Sequence, residues 1–167
     1  MSIRLPLQTV LDYNDTPQTG ATSVAGGVAK TFTLPQDTDN VVVKLTASVI
    51  GGAVSATFQT TDDGGATWYD VARTSVVSNA NNTTAQWLNI PVIGPGINPI
   101  VKSNLNSGSI LGGSIGSAAA STLGSREVSG LPIMSPTGRI FLIYTSAVTS
   151  TDLARVQVKA NSQSASA

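Results

Sequence analysis

Wherever this chain has an apolar rhythm, the rhythm has a period of two and β-branched residues carry it. Val28, Phe32 and Leu34 alternate with Ala29, Thr31 and Thr33, and Val41, Val43, Leu45, Ala47 and Val49 alternate with Val42, Lys44, Thr46 and Ser48. Val54, Ala56 and Phe58 mark a third strand, Tyr69 and Val71 a fourth, and residues 87–92 a fifth. Two more close the chain: residues 139–145, with Ile140, Leu142 and Tyr144 on one face, and residues 153–160, with Val156 and Val158 opposite Arg155, Gln157 and Lys159. Successive side chains point to opposite faces of a strand, so each segment buries one face and wets the other. At least seven short strands with turn residues between them predict an all-β, two-sheet β-sandwich of jelly-roll or immunoglobulin-like type. The alanine cluster Ala118–Ala120 is flanked by Gly116 and Gly124 and is too confined for a long helix.

The rhythm stops between Ile93 and Pro136. These 44 residues are rich in Gly, Ser, Pro and Asn, and only Lys102, Arg126 and Glu127 are charged. A structureless stretch of that length is uncommon inside a compact domain. Disordered linkers are poor in apolar residues, whereas this Gly/Ser-rich insertion carries Ile97, Ile100, Val101, Leu105, Ile110, Leu111, Ile115, Leu123 and Leu131. The expectation is an extended arm that lays these side chains on a neighbouring subunit, partly by strand addition. A mobile loop and a small hairpin folded onto the same domain are the alternatives. The expected organisation is thus an N-terminal extension over 1–20, one sandwich domain over 21–160 interrupted by the arm at 93–136, and a flexible tail over 161–167.

Composition narrows the function. Charged residues make up 11% of the 167-residue chain, against about 25% in an average soluble protein. Hydroxyls take their place, with 20 Ser and 20 Thr and a single Glu, Glu127. Covering a hydroxyl that finds a partner costs far less than covering an ion, so this surface suits a protein with many neighbours. Nine basic and nine acidic residues give no net charge, which argues against a nucleic-acid partner. Residues 1–11 lack the apolar core of a signal peptide. The apolar run 41–50 is interrupted and too short for a bilayer, so a soluble protein away from the membrane is expected.

The chain has neither His nor Cys, which removes the usual general base, most zinc, copper and haem ligand sets, and any disulfide. No enzyme activity and no cofactor are expected. Gly112–Gly116 fits the G-x-S-x-G nucleophile pattern, but in Gly/Ser-rich sequence without a strand-to-helix context. The carboxylate pairs Asp12 with Asp15, Asp37 with Asp39, and Asp62 with Asp63 read as turn or cap residues, and Asp62 with Asp63 supply too few oxygens for Ca²⁺. Trp68, Tyr69 and Trp87 have the chemistry of a sugar-stacking platform. Trp68 and Tyr69 must face opposite ways, however, and core packing is the expected role of these aromatics.

The sharpest local signal is Thr61-Asp62-Asp63-Gly64-Gly65-Ala66-Thr67-Trp68. Asp63 can accept from amides further round a hairpin, Gly65 tolerates positive φ, and Thr67 and Trp68 start the return strand. These eight residues are similar to the Asp-box of sialidase-like propellers, a structural turn away from the active site; no second copy exists at blade spacing. Taken with Phe58-Gln59-Thr60, the continuation Tyr69-Asp70-Val71 and the late Arg139–Thr145 strand, the order of features resembles the small β-sandwich virion proteins of tailed bacteriophages. That resemblance implies a capsid decoration or cement protein. Such a protein would be homo-oligomeric, with a trimer favoured, would bind the major capsid protein and other virion proteins after shell assembly, and would reside in the virion. The alternative that it implies is a tail or fibre component binding host surface glycans.

Overall fold

The computed structural model describes residues 3–4, 6–15, 28–48, 53–78, 85–92, 115–116, 133–144 and 153–164. In chain order these form β1 (Ile3–Arg4), β2 (Gln8–Asp15), β3 (Val28–Thr33), β4 (Thr38–Ser48), β5 (Ala53–Thr60), β6 (Trp68–Arg73), β7 (Val77–Ser78), β8 (Gln86–Pro91), β9 (Ile115–Gly116), β10 (Thr137–Tyr144) and β11 (Leu153–Ser164). No helix occurs among the described residues.

All pairings among the described residues are antiparallel. Strands β2, β11, β4 and β8 lie side by side in one sheet, where β1 also pairs with the far end of β11. Strands β3, β10, β5 and β6 form the second sheet, with β7 beside β5 and β9 beside β6. The eight longer strands obey a nested rule: first pairs with last (β2·β11), second with second-last (β3·β10), third with third-last (β4·β8), and the middle two with each other (β5·β6). A long hairpin folded into two facing sheets in this way is a jelly roll. The pairing therefore decides between the two sandwich topologies that strand alternation leaves open.

The inward-facing residues are those that the period of two selects. Val41, Val43 and Leu45 of β4 and Val156 and Val158 of β11 are fully buried, and they meet Val54, Ala56 and Phe58 of β5 and Ile140 and Leu142 of β10. Each large side chain buried in this layer stabilises the fold by about 1.5–3 kcal/mol. Gly138 sits opposite Phe32 in the β10·β3 register. Its missing side chain makes room for the Phe32 ring, whose centroid lies 5.8 Å from that of Phe58.

Three expectations need correction. Residues 8–15 are not an extension outside the domain; β2 is an edge strand of the first sheet, with Val10, Leu11 and Tyr13 packed against the core. A register shift between Val158 and Lys159 changes the phase of the pairing along β2. Both Val10 and Leu11 are half-buried as a result, and the plain alternation that marks the other strands is lost. The C-terminal residues 161–164 are likewise strand, pairing with β4 and β1 through the backbone; their polar sequence carries no apolar pattern to announce it. Finally, Asp12 and Asp15 are mid-strand and end-strand residues of β2 rather than turn residues.

Candidate functional site

The β5–β6 hairpin turn is built around Asp63. Its Oδ1 accepts from the Thr61 hydroxyl at 2.8 Å, from the Thr67 amide at 2.8 Å and from the Gly65 amide at 3.3 Å. The Thr61 hydroxyl oxygen also accepts from the Gly65 amide at 2.9 Å. The Thr67 bonds, followed by that from Thr61, hold the Asp63 carboxyl well below the usual carboxylate range. Gly64 and Gly65 have φ of 75° and 107°, and a Cβ on Gly65 would lie 3.3 Å from the Trp68 ring. The turn thus delivers Trp68 to a buried position at the start of β6.

Behind that turn, the outer face of the second sheet carries a buried polar layer. Register places Arg139 beside Gln59, Gln59 beside Asp70, and Thr57 between Phe141 and Arg73. Ser55, Thr57, Gln59 and Asp70 are fully buried, and Arg73 and Arg139 nearly so. Gln59 Nε2 donates to Asp70 Oδ1 at 2.5 Å, Arg139 Nε donates to Gln59 Oε1 at 2.7 Å, and Arg73 Nε and Nη2 both donate to Ser55 Oγ. The Arg139 guanidinium lies 4.4 Å from the Trp68 ring centroid and 5.9 Å from that of Phe141. Burial lowers the Arg139 pKa, opposed by the charge of Asp70. Arg139 Nη2 and Thr57 Oγ1 have no hydrogen-bond partner among the described residues. This network links Ser55 to Arg73, and Arg139 through Gln59 to Asp70.

A second buried carboxylate closes the edge between the sheets. Asp15 accepts from the Tyr13 hydroxyl at 2.9 Å and from the Tyr144 hydroxyl. Desolvation, then the bond to Asp15, pushes the Tyr13 pKa up to about 12. Lys30 Nζ sits 4.5 Å over the Tyr13 ring. At one end of the sandwich Leu34, Pro35, Val92, Ile133 and Met134 line an open groove of about 580 Å³.

Trp87 does not take the core role expected of it. Leu88 and Ile90 are the inward residues of β8, so Trp87 and Asn89 point out, and Trp87 is 52% exposed. Lys44 Nζ lies 4.9 Å from the centroid of its ring.

Of the residues expected at intersubunit contacts, Ile97, Ile100, Val101, Leu105, Ile110, Leu111, Leu123 and Leu131 lie outside the described residues. Ile115 belongs to β9, whose backbone pairs with Tyr69 of the same chain. Sequence reasoning passed over the polar layer of Gln59, Asp70, Arg73 and Arg139. Its signal is present in β10, where Ile140-Phe141-Leu142-Ile143-Tyr144 is apolar at every position, the pattern of a strand covered on both faces. Among the described residues no three His, Cys, Asp or Glu side chains gather in a metal-binding group.

No family model matches this chain. No curated protein matches it either.

Proposed function

We propose that this chain is a non-catalytic virion structural protein, a capsid decoration or cement protein of the tailed-bacteriophage kind. It binds the major capsid protein on the assembled shell, and other virion proteins beside it, as a homo-oligomer with a trimer favoured. The observation that carries this reading is the pairing of a jelly roll with a chain in which only 11% of the residues are charged. A fold cross-linked by nested strand pairs keeps its shape when loaded, and hydroxyl-rich surface is covered by neighbours at small desolvation cost. Interfaces that exist only on the closed shell stabilise that shell by mass action. No cofactor, nucleic acid or membrane enters this mechanism.

Light scattering of the purified protein, alone and with empty shells, tests the reading. A trimer that co-sediments with shells supports it, and a protein that leaves shells untouched at micromolar concentration contradicts it.

A second reading has its own observation. The outward Trp87 favours a tail or fibre component that binds host surface glycans, because a half-exposed indole is a stacking surface for a sugar ring. The two are compatible in one virion protein, with one surface docked and another displayed.

A further inference from the structure

The outer face of the β2-β11-β4-β8 sheet carries polar side chains aligned across its strands. Inward residues of β4, β8 and β11 are apolar and buried, so Lys44 and Thr46, Trp87 and Asn89, and Arg155, Gln157 and Lys159 stand on the other face. Register aligns them. Trp87 is opposite Lys44, Lys44 opposite Gln157, and Gln157 opposite Asp12, which makes one rung across four strands. The neighbouring rung runs Asn89, Val42, Lys159. At the ordinary strand spacing a four-strand rung is about 14 Å long, enough for several linked sugar rings.

Among the described residues the charges on this face do not cancel. Asp12 is engaged by Arg155 through Nε at 2.8 Å and Nη2 at 2.6 Å, and by Gln157 Nε2 at 3.0 Å. That leaves Lys44 and Lys159 as an excess of two cations over the neutral Asp12–Arg155 pair, on a chain whose net charge is zero. Across adjacent strands, diagonal neighbours such as these two lysines stand roughly 7–8 Å apart. Among the described residues the apolar side chains on the face are the scattered Trp87, Val42 and Leu153, with no contiguous patch to seed a protein–protein core.

We infer that this face binds an acidic polysaccharide, with a sugar ring stacked on Trp87, its carboxylates on Lys44 and Lys159, and its hydroxyls on Asn89 and Gln157. This rests on the glycan-binding reading above and adds the site and the charge of the ligand. With Lys44 Nζ over one face of the Trp87 ring, the other face of the indole matches the C–H face of a pyranose ring, and two ammoniums in excess of the described carboxylates favour an anionic chain over a neutral one.

The test uses the full chain and acrylamide quenching of tryptophan emission, since Trp68 is buried and Trp87 is the accessible fluorophore. The probes are an oligomer of galacturonic acid, a neutral glucan of equal length and polyglutamate. The expected result is that the oligouronate alone shields Trp87. The double substitution Lys44→Gln and Lys159→Gln should weaken it about tenfold or more, which is ~1.4 kcal/mol, and Trp87→Ala, which removes the fluorophore and is therefore read by titration calorimetry with every probe, should abolish binding with the unfolding midpoint retained. Equal binding of the neutral glucan overturns the acidic assignment and spares the glycan reading. Binding of neither sugar overturns both. Polyglutamate binding that survives Trp87→Ala makes the face a dock for acidic protein and also overturns the inference.

Discussion

Replacing Gly138 by Ala tests the central packing argument at one atom. The added Cβ would stand 2.7 Å from Cζ and 2.8 Å from Cε2 of Phe32, and 3.3 Å from Cε2 of Phe58. Carbon contacts settle at about 3.5–4.0 Å, so the Phe32 ring must retreat by roughly 1 Å. The space behind it is a close-packed core. Overpacking of this kind costs ~1–3 kcal/mol, offset by the ~0.5–1 kcal/mol that Ala gains over Gly by restricting the unfolded chain. The net expectation is a loss of about 1–2 kcal/mol. Phe32→Leu removes the obstructing ring atoms and alone costs about 1–2 kcal/mol in buried area. In that background Gly138→Ala should cost nothing or stabilise slightly, a coupling of about 1–2 kcal/mol. Equilibrium urea unfolding of the four proteins, with m held constant, reads this directly. Additivity within about 0.5 kcal/mol would refute the contact.

Other expectations follow from the same geometry. Gly65→Ala should destabilise by about 2–3 kcal/mol and Gly64→Ala by only about 1 kcal/mol, because both have positive φ but only Gly65 faces the Trp68 ring; the two unfolding midpoints rank them. Gln59→Leu should cost about 2–4 kcal/mol, since it strips a bond from Asp70 and one from Arg139 in a fully buried layer. Its unfolding curve should shift without a change of slope. The Arg155 and Gln157 bonds hold the Asp12 carboxyl down at about 2, below its unfolded value of about 3.9. The stability that Asp12 contributes is therefore complete above about pH 4 and lost as pH falls towards about 2. Asp12→Asn should flatten the stability–pH curve in that window and leave its shape above about pH 5 unchanged.

The sandwich was legible because strands such as β4 and β11 alternate cleanly in phase, as in Val41, Val43 and Leu45. Strand β2 was not, because the register shift between Val158 and Lys159 moves Val10 and Leu11 out of simple alternation and because an inward position is taken by Asp15, satisfied by two tyrosine hydroxyls. The end of β11 was missed for a different reason: residues 161–164 are held by backbone pairing, which leaves no mark on side-chain polarity. The turn at Asp63 is local chemistry and can be read from eight residues. The polar layer and the rung from Trp87 to Asp12 are not local, since their members lie up to 80 residues apart or more and meet only through the register of the jelly roll. Trp87 itself could have been placed by phase, because Leu88 and Ile90 take the inward positions and leave it outside.

The most direct measurement of the proposed assembly role is the disruption temperature of empty tailed-bacteriophage shells titrated with the protein. Binding confined to interfaces of the closed shell raises that temperature until sites are full, and unassembled capsid subunits bind little. A disruption temperature that does not move while the protein is bound, or equal affinity for shells and free subunits, would contradict the account.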